Sequence, residues 1–207
     1  MYKMPEFTEN DQQAVIDFIY QHPFIVLTGC YNNIPVATQV PVLIHEQDGK
    51  IVLRGHIMRK TDHHLAFEAN PQVLVLFTGP QCYVSASWYS QRNIGSTWNY
   101  MTVHGRGTIQ YKDEAHCLQF LTDLTHKYED PQQKPELLEY MSMEGYVKPM
   151  MKAIVSFEIT LESITPIFKL SQNRDDKSHA RIVEELKNRG DYNSMEIAKE
   201  MLKRRGE

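Results

Sequence analysis

Alternation of apolar and polar residues between positions 154 and 161 is the feature that most restricts how this chain can fold. The odd positions carry Val155, Phe157, Ile159 and Leu161, whereas the positions between them carry Ser, Glu and Thr. Because successive side chains of a strand point to opposite faces, this pattern predicts a β-strand with one buried face. An isolated strand is not stable, so the rest of the sequence must supply a sheet.

Other segments have the composition of strands, with many Val, Ile, Leu, Thr and aromatic residues. They cover residues 24–31, 35–44, 51–56, 73–78, 82–85 and 99–111. Pairs of turn-forming residues separate several of them, namely Asn32-Asn33, Asp48-Gly49 and Gly79-Pro80. About six or seven strands arranged mainly as hairpins favour a mainly β fold, an antiparallel β-barrel with peripheral helices, because closure removes exposed sheet edges.

Helical patterns flank these strands. Thr8 predicts the cap of a helix that runs to about residue 21, because Pro23 prevents its continuation. Further helices are predicted over residues 62–69 and 113–128. Two amphipathic patterns separated by Gly190-Asp191 predict a helical tail. The apolar positions of that tail are Ile182, Val183, Leu186, Met195, Ala198 and Leu202.

Charge and composition limit the classes of function. The chain has 22 Lys and Arg against 26 Asp and Glu, a net charge of −4, so it lacks the footprint of a dedicated nucleic-acid binder and any DNA contact would be local. Its three cysteines show no paired spacing, which disfavours a disulfide framework and fits a reducing, cytoplasmic compartment. No apolar run suits a signal peptide or a membrane span, so we expect a soluble protein without a membrane partner.

The segment from Arg54 to Thr61 leaves a predicted strand and enters a predicted helix. Helix N-termini offer N–H groups and a partial positive charge, and Arg59, Lys60 and the Thr61 hydroxyl would add hydrogen bonds to a phosphate. The junction therefore predicts a phosphate site. The alternative is a pair of solvated basic side chains on an exposed loop.

Both tryptophans of the chain lie within residues 83–100, which we call the aromatic segment. Small hydroxyl side chains alternate there with large aromatic ones, an arrangement that can line a pocket for a flat, polar-edged ring system such as a flavin. Core or dimer-interface packing explains the same composition equally well. The candidate ring contacts are Ser85, Ser87, Trp88, Trp98, Asn99 and Tyr100.

A polar run at residues 168–174 follows the last predicted strand and could close over a ligand through Lys169 and Gln172. A solvated linker to the tail is the alternative. The nine histidines predict no metal site, because His63 and His64 would diverge by about 100° on a helix and no His-x-x-x-His pattern occurs. Motifs for serine hydrolases, P-loop proteins and Rossmann folds are also missing from the sequence.

Several separated motifs agree with one family. They are Met1-Tyr2 with Pro5 and Phe7, Pro35-Val36-Ala37-Thr38, Gly55-His56, Arg59-Lys60 with Asn70-Pro71, Ser85-Ala86-Ser87-Trp88-Tyr89, Thr97-Trp98-Asn99-Tyr100 with Val103-His104 and Gly107, and Phe168-Lys169-Leu170-Ser171-Gln172-Asn173-Arg174. Together they resemble the PaiB-type FMN-binding negative transcriptional regulators, relatives of the pyridoxamine-phosphate oxidase-like split barrels. The resemblance covers most of the chain.

This resemblance implies an FMN-binding split β-barrel with Greek-key topology over residues 1–174 and a helical C-terminal tail over residues 175–207. It also implies a homodimer that holds FMN between its subunits, with the phosphate on Arg59, Lys60 and Thr61. The implied ring contacts are Val40, Pro41, Arg54, Gly55 and His56, together with Lys169, Gln172 and the aromatic segment of either subunit. Ala86 and Gln39 depart from the proline and histidine common in the family and mark a distinct subgroup.

Three functions stay open at this point. The leading hypothesis is a flavin-dependent redox or sensor protein, which includes an FMN-dependent oxidoreductase, and the sequence indicates no catalytic residue. The second is a transcriptional repressor that contacts DNA through its C-terminal helices, where residues 169–207 carry ten basic and eight acidic side chains. The third is haem binding by His56 or His104. Because the proposed phosphate and ring contacts all precede the tail, its deletion is expected to leave FMN affinity largely intact.

Overall fold

The computed structural model describes residues 4–205, so the Met1-Tyr2 motif lies outside the described residues. Within them the strands are β1 (Phe24–Tyr31), β2 (Ile34–Pro41), β3 (Leu43–Gln47), β4 (Lys50–Met58), β5 (Gln72–Val84), β6 (Thr97–Tyr111) and β7 (Ile154–Lys169). The helices are α1 (Gln12–Gln21), α2 (Asp62–Ala69), α3 (Glu114–Glu129), α4 (Lys148–Ala153), α5 (Asp176–Arg189) and α6 (Tyr192–Lys203). The predicted mainly β fold with peripheral helices is confirmed.

The strands form one sheet in the order β2-β1-β5-β6-β7-β4-β3. The consecutive strands β5, β6 and β7 are neighbours and β4 lies beside β7, which is the Greek-key pattern. The edge strands β2 and β3 are also consecutive and are separated only by Val42, whose N–H donates to the Pro23 carbonyl at 2.8 Å. Because both edges meet at one residue, the sheet curls towards a barrel.

The chain divides into two compact units. The first unit contains the described parts of residues 1–22, 78–103 and 165–207, and the second contains Pro23–Phe77 and His104–Ile164. Strands β5, β6 and β7 each contribute residues to both units. Among residues 4–205, no helix combines the length and the apolar character that crossing a bilayer requires.

Local turn chemistry fixes the two hairpins of the second unit. Asn32 and Asn33 have φ of 50° and 62°, and Asp48 and Gly49 have φ of 51° and 71°. These left-handed conformations are the ones that Asn, Asp and Gly tolerate best. The two predicted turns are therefore confirmed, and the bounds of β1 and α2 agree with the prediction.

Two predicted boundaries were wrong, that of α1 and that of the strand predicted over residues 35–44. Asp11, rather than Thr8, caps α1, since its carboxylate accepts the N–H groups of Gln13 and Ala14. The strand predicted over residues 35–44 is two strands, because the chain turns from β2 into β3 at Val42.

The predicted turn at Gly79-Pro80 was also wrong, since β5 runs unbroken through both residues. A Cβ atom at Gly79 would lie 2.6 Å from Cε2 of Phe18 and 3.2 Å from Nε2 of His22. The glycine therefore serves the close approach of α1 to the strand, not a change of chain direction.

The predicted alternation in β7 is confirmed, and its other face is covered as well. Phe157 and Ile159 are fully buried in the second unit. Ser156 on the opposite face is also fully buried, because α3 packs there and His116 Nδ1 lies 3.0 Å from its Oγ. The cluster beneath α3 consists of Leu43, Cys117, Phe120, Leu121, Leu138, Val147 and Ile154. The strand therefore separates two packed layers.

In the tail, the predicted burial of Ile182, Val183, Leu186 and Ala198 is confirmed. The prediction that Met195 lies on the buried side of α6 was wrong, because Met195 is exposed. Ile197, Ala198 and Met201 form the buried face of this helix. The segment after the last strand begins later than predicted, because Phe168 and Lys169 still belong to β7.

We predict that Gly107→Ala destabilises the fold by about 1–3 kcal/mol, the usual range for overpacking. A Cβ atom there would overlap the main-chain carbonyl of Thr160, which cannot swing aside as a side chain can. Urea unfolding measures the change. Gly95→Ala is the matched control, because no described heavy atom lies within 4 Å of the added carbon. Equal stability of the two variants would contradict this account of Gly107.

Candidate functional site

Thr61 begins α2 in the second unit. Its hydroxyl oxygen accepts the His64 N–H at 3.3 Å, and the hydroxyl donates to the Met58 carbonyl at 3.0 Å. A hydroxyl has a single hydrogen, so this one is used in building the turn. Contact of Thr61 with a phosphate would therefore come from its backbone N–H.

Arg59 and Lys60 lie immediately before this helix. Both side chains are exposed, and within residues 4–205 neither forms an ion pair. Lys60 has φ of 63°, and its N–H donates to Nδ1 of His64 at 3.4 Å. Burial lowers the pKa of His64, which keeps that ring neutral and able to accept. The left-handed turn thus holds two uncompensated cations at a helix N-terminus.

Asp62 is the acidic residue of the first turn of α2. Its carboxylate accepts the N–H of His63 at 2.8 Å and lies 3.0 Å from Nδ1 of the same residue. These hydrogen bonds hold the pKa of Asp62 below its ordinary value, so the group is ionised at neutral pH. The local charge of Arg59, Lys60 and Asp62 still sums to +1, which suits a phosphate group.

Next to this turn, one side of strand β4 lies outside the ladders of the described residues. It pairs with β7 from Val52 to Met58, but with β3 only as far as Arg54. On the side away from β7, residues 55–57 therefore lie outside the described ladders. Val40 and Pro41 end β2, which approaches β4 in this unit. Strand β2 therefore lies near β4 in the second unit.

The side chains of β4 point elsewhere. Arg54 forms an ion pair of 2.8 Å with Asp123 of α3, and the His56 ring packs against Phe120 with centroids 5.6 Å apart. Burial lowers the pKa of His56. The side chains of Arg54 and His56 thus contact α3, while Arg54 Nε and His56 Nδ1 are buried without a hydrogen-bond partner among the described residues.

A Ser-His-Glu arrangement in the second unit was not predicted. His116 Nδ1 lies 3.0 Å from Ser156 Oγ, its Nε2 lies 3.2 Å from Glu158, and Lys112 contacts the other Glu158 oxygen at 2.5 Å. The spacing resembles a nucleophile, base and acid. Ser156 is fully buried, however, so no substrate reaches it and the network is structural. His116 and Ser156 are 40 residues apart, so no local sequence pattern predicts this network.

The aromatic segment lies in the first unit. Ser85 caps the short 3-10 turn Ala86–Trp88 by accepting the Ser87 N–H at 3.2 Å. The Trp88 ring lies 5.0 Å from the guanidinium carbon of Arg189 on α5. Trp98 is 53% exposed and packs edge-on against Tyr83, so it presents an open ring face.

Three other predicted contacts serve the first unit's own packing. Asn99 is fully buried, accepts the Ser171 hydroxyl at 3.0 Å and lies 3.6 Å from the sulfur of Met201. Gln172 accepts the Leu170 N–H at 2.7 Å and donates to the Phe168 carbonyl, which closes its own turn. Lys169 donates to the hydroxyl of Thr97. Tyr100 is partly buried on β6. A flavin role for Asn99 or Gln172 would require these bonds to open.

The tail helices hold the aromatic segment in place. Asp175 caps α5, and its carboxylate also accepts the Ser90 hydroxyl at 3.0 Å. The Ser90 N–H donates to Ser178 Oγ at 2.8 Å. Together with the contacts of Arg189 and Met201, these bonds lead us to expect that deleting the tail disturbs the aromatic segment.

The predicted site residues thus form two sets, each coherent within its unit. The second unit assembles a cationic turn and an open strand edge, which suit the phosphate and the polar edge of a ring. The first unit assembles exposed and half-buried aromatic rings with hydroxyl side chains. A barrel with such groups defines a flavin-binding class of protein.

Comparison with known proteins agrees. Residues 1–163 match the family described as "Putative FMN-binding domain". The chain is 31% identical over 201 residues to the Bacillus subtilis (strain 168) protein named protease synthase and sporulation protein PAI 2. The alignment covers 97% of this chain and 96% of that protein. The chain therefore belongs to this FMN-binding family and is of the PaiB type, with FMN as its cofactor.

Solved structures share the fold at low sequence identity. The flavocytochrome Anf3 from Azotobacter vinelandii superposes with a TM-score of 0.61 at 12% identity, covering 87% of this chain and 78% of that one. The FAD and haem binding protein from Mycobacterium smegmatis gives a TM-score of 0.56 at 12% identity, covering 82% and 76%. The split-barrel prediction is confirmed.

We predict that Arg189→Gln shifts the tryptophan emission of the protein to longer wavelength. Trp88 and Trp98 are the only tryptophans, so emission reports on the aromatic segment alone, and loss of the guanidinium exposes Trp88 to water. Fluorescence spectra of the folded variants measure this. Arg181→Gln, on the exposed side of α5, is the control and should leave the emission unchanged. An unshifted Arg189→Gln spectrum would show that α5 does not hold this ring.

Proposed function

We propose that the protein is a homodimeric, FMN-dependent redox or redox-sensing protein whose cofactor phosphate binds at the start of α2. The observation that carries this proposal is the pair Arg59 and Lys60, two exposed cations at a helix N-terminus without an acidic partner among residues 4–205. Such a site binds phosphate through charge and backbone N–H groups together.

The ring would lie against the open edge of β4. Residues 55–57 have main-chain groups outside the described ladders, and a buried main-chain group needs a hydrogen-bond partner. The polar edge of an isoalloxazine ring supplies donors and acceptors of that kind. Val40 and Pro41 would cover the ring from β2, and the half-buried His56 would stay in the layer under α3.

Bound FMN supplies electron transfer, which the side chains of this protein do not provide by themselves. The chain's own residues would bind the phosphate, orient the ring and exclude water from it. Among the described residues 4–205, the structure identifies no acid or base as a catalytic residue. The proposal is therefore a cofactor site with redox capacity, without a named proton donor.

A second subunit would complete the site. Large apolar side chains are exposed on the β1-β2 hairpin and around the cationic turn of the second unit, where a monomer gains nothing from them. They are Phe24 at 59%, Tyr31 at 47%, Ile34 at 65%, Met58 at 61% and Leu65 at 51% exposure. A second copy of this chain would cover them and could bring its own aromatic segment, with Trp98, to the ring.

DNA binding by the tail is the weaker alternative. Arg204 pairs with Glu9 and Glu200, and Arg205 bonds to Asp176 and to the carbonyl of Arg174. These guanidinium groups are therefore neutralised within the first unit. Haem binding by His56 is also the weaker alternative, because the His56 ring is packed against Phe120 under α3. The domain boundary at residue 175 and a cytoplasmic location stay predictions.

We predict that the double variant Arg59→Ala/Lys60→Ala loses about tenfold or more in FMN affinity, because one or two charge-assisted hydrogen bonds disappear. Its riboflavin affinity should hardly change, since riboflavin lacks the phosphate. Flavin fluorescence titration measures both. Asp62→Asn is the control of opposite sign and should tighten FMN binding. An equal loss of affinity for FMN and riboflavin would show that the FMN phosphate does not bind at this turn.

We also predict a dimer at low micromolar concentration in sedimentation velocity, as expected for a large apolar interface. Ile34→Asp should shift the protein towards monomer, because the charge would have to be buried. Tyr140→Asp is the matched control at a residue 70% exposed outside the hairpin. A monomeric wild-type protein, or equal effects of both substitutions, would contradict the interface.

A further inference from the structure

Lys60, in the turn before α2, has a backbone conformation that its residue type disfavours. Its φ of 63° lies in the left-handed region, where the Cβ atom crowds the main chain and where Gly, Asn and Asp are more usual. A residue stays in this region only when the surrounding structure holds it there. One of the two cations of the proposed phosphate site therefore belongs to a strained turn that another group must stabilise.

The side chain of His64 supplies a stabilising contact. The Lys60 N–H donates to Nδ1 of His64 at 3.4 Å, and the main-chain N–H of His64 donates to the Thr61 hydroxyl oxygen at 3.3 Å. Because a main-chain N–H can only donate, Nδ1 must be the unprotonated nitrogen of the ring, and the proton of the neutral ring lies on Nε2. His64 thus holds the turn both through its ring and through its backbone.

Strand β6 holds the His64 ring in place. His64 is 8% exposed, and its ring packs against that of Tyr111 with centroids 5.0 Å apart. The Tyr111 hydroxyl donates to the His64 carbonyl at 3.1 Å, a contact between residues 47 apart in the chain. Burial raises the pKa of Tyr111, so this hydroxyl keeps its proton at neutral pH. The acceptor nitrogen is therefore positioned by the protein's own packing.

The surroundings of His64 also keep its ring neutral. Burial lowers the pKa of His64, the Glu68 carboxylate opposes this shift, and the charges of Arg59 and His63 add to it. A protonated ring would have a hydrogen on Nδ1 and could not accept the Lys60 N–H. It would also add a positive charge beside the two cations of the turn. The neutral ring is thus the form that stabilises the turn.

We propose that His64 is the positioning residue of the FMN phosphate site. By accepting the Lys60 N–H it stabilises the left-handed turn, and the turn directs Arg59 and Lys60 together towards the phosphate. His64 needs no contact with the cofactor for this role, so it acts on phosphate binding and not on ring binding. The inference rests on the proposed function, because it assigns His64 a role only if the phosphate binds at this turn.

Two substitutions at position 64 distinguish positioning from packing. In His64→Asn the side-chain oxygen lies as many bonds from the backbone as Nδ1 and can accept the Lys60 N–H, whereas His64→Leu keeps an apolar side chain without an acceptor. We expect His64→Leu to lose about fivefold in FMN affinity with riboflavin affinity unchanged, as for one lost hydrogen bond. His64→Asn should keep the wild-type preference for FMN over riboflavin. Flavin fluorescence titration of the folded proteins measures both affinities.

His22→Leu is the matched control in the first unit. It also removes a stacked histidine ring whose Nδ1 lies close to a main-chain group, at 2.7 Å from the Phe18 carbonyl oxygen. It should leave the preference for FMN over riboflavin unchanged. A preference that survives in His64→Leu, or that is lost in His64→Asn and kept in His64→Leu, would show that the ring only fills space and would overturn the proposal.

A substitution at Lys60 tests the mechanism in a second way. Lys60→Gly accepts a positive φ without strain, so the turn no longer needs His64. Adding His64→Leu to Lys60→Gly should therefore lower FMN affinity no further, which makes the two substitutions non-additive. A further fivefold loss in the double variant would mean that His64 does not act through this turn.

Nitrogen NMR of the imidazole groups gives a readout on the wild-type protein without flavin. We expect His64 to have its proton on Nε2 at neutral pH, with Nδ1 unprotonated. The spectrum of His64→Asn, which lacks these signals, provides their assignment. A proton on Nδ1 would exclude the hydrogen bond from Lys60 and with it the proposal, even if the variants at position 64 fail to fold.

These outcomes separate the role of His64 from the function on which it rests. If Arg59→Ala/Lys60→Ala loses FMN and riboflavin affinity equally, the phosphate does not bind at the turn, and both proposals fail. If that double variant loses its preference for FMN while His64→Leu keeps it, the phosphate site stands and only the role of His64 is excluded.

Discussion

The incomplete pairing of β4 is the constraint on which both the fold and the candidate site depend. β4 is joined to β7 through Met58, whereas its ladder with β3 ends at Arg54 because β3 turns into β2 at Val42. The same turn that brings the sheet edges together therefore leaves one side of residues 55–57 outside the described ladders. Main-chain groups in that position are stable only with another partner, and this is why the opening suits a ring with a polar edge.

The parts of the fold that the sequence predicted are those decided by neighbouring residues. Asn32-Asn33 and Asp48-Gly49 form hairpin turns because these residue types accept positive φ, and α2 has the bounds that the sequence predicted. Gly79-Pro80 has equally good turn chemistry, yet β5 passes straight through it. There a contact between distant residues decides, because the strand lies against Phe18 too closely for a side chain.

The same distinction applies to the site. Arg59, Lys60 and Thr61 could be predicted as a group because they are contiguous and precede a helix. The orientation of Arg54 and His56 could not, since it depends on Asp123 and Phe120 of α3, which is more than 60 residues later in the chain. The burial of Asn99 likewise depends on Met201. Polar residues in a motif indicate that something binds them, but only tertiary structure shows whether that partner is a ligand or the protein itself.

In the tail, the formal charge of the sequence differs from the charge that is available to an external partner. Its excess of basic residues would favour DNA if those residues were free to meet phosphates, since such binding gains from the release of counterions around them. Arg204 and Arg205 already have acidic partners. A phosphate that replaced one of these partners would therefore contribute only the difference in free energy between the new ion pair and the old one. Arg189 is held by the Tyr83 carbonyl and the Trp88 ring, and its charge supports the aromatic segment. Arg189, Arg204 and Arg205 therefore act mainly on the first unit, and the number of arginines in the tail says little about an external partner.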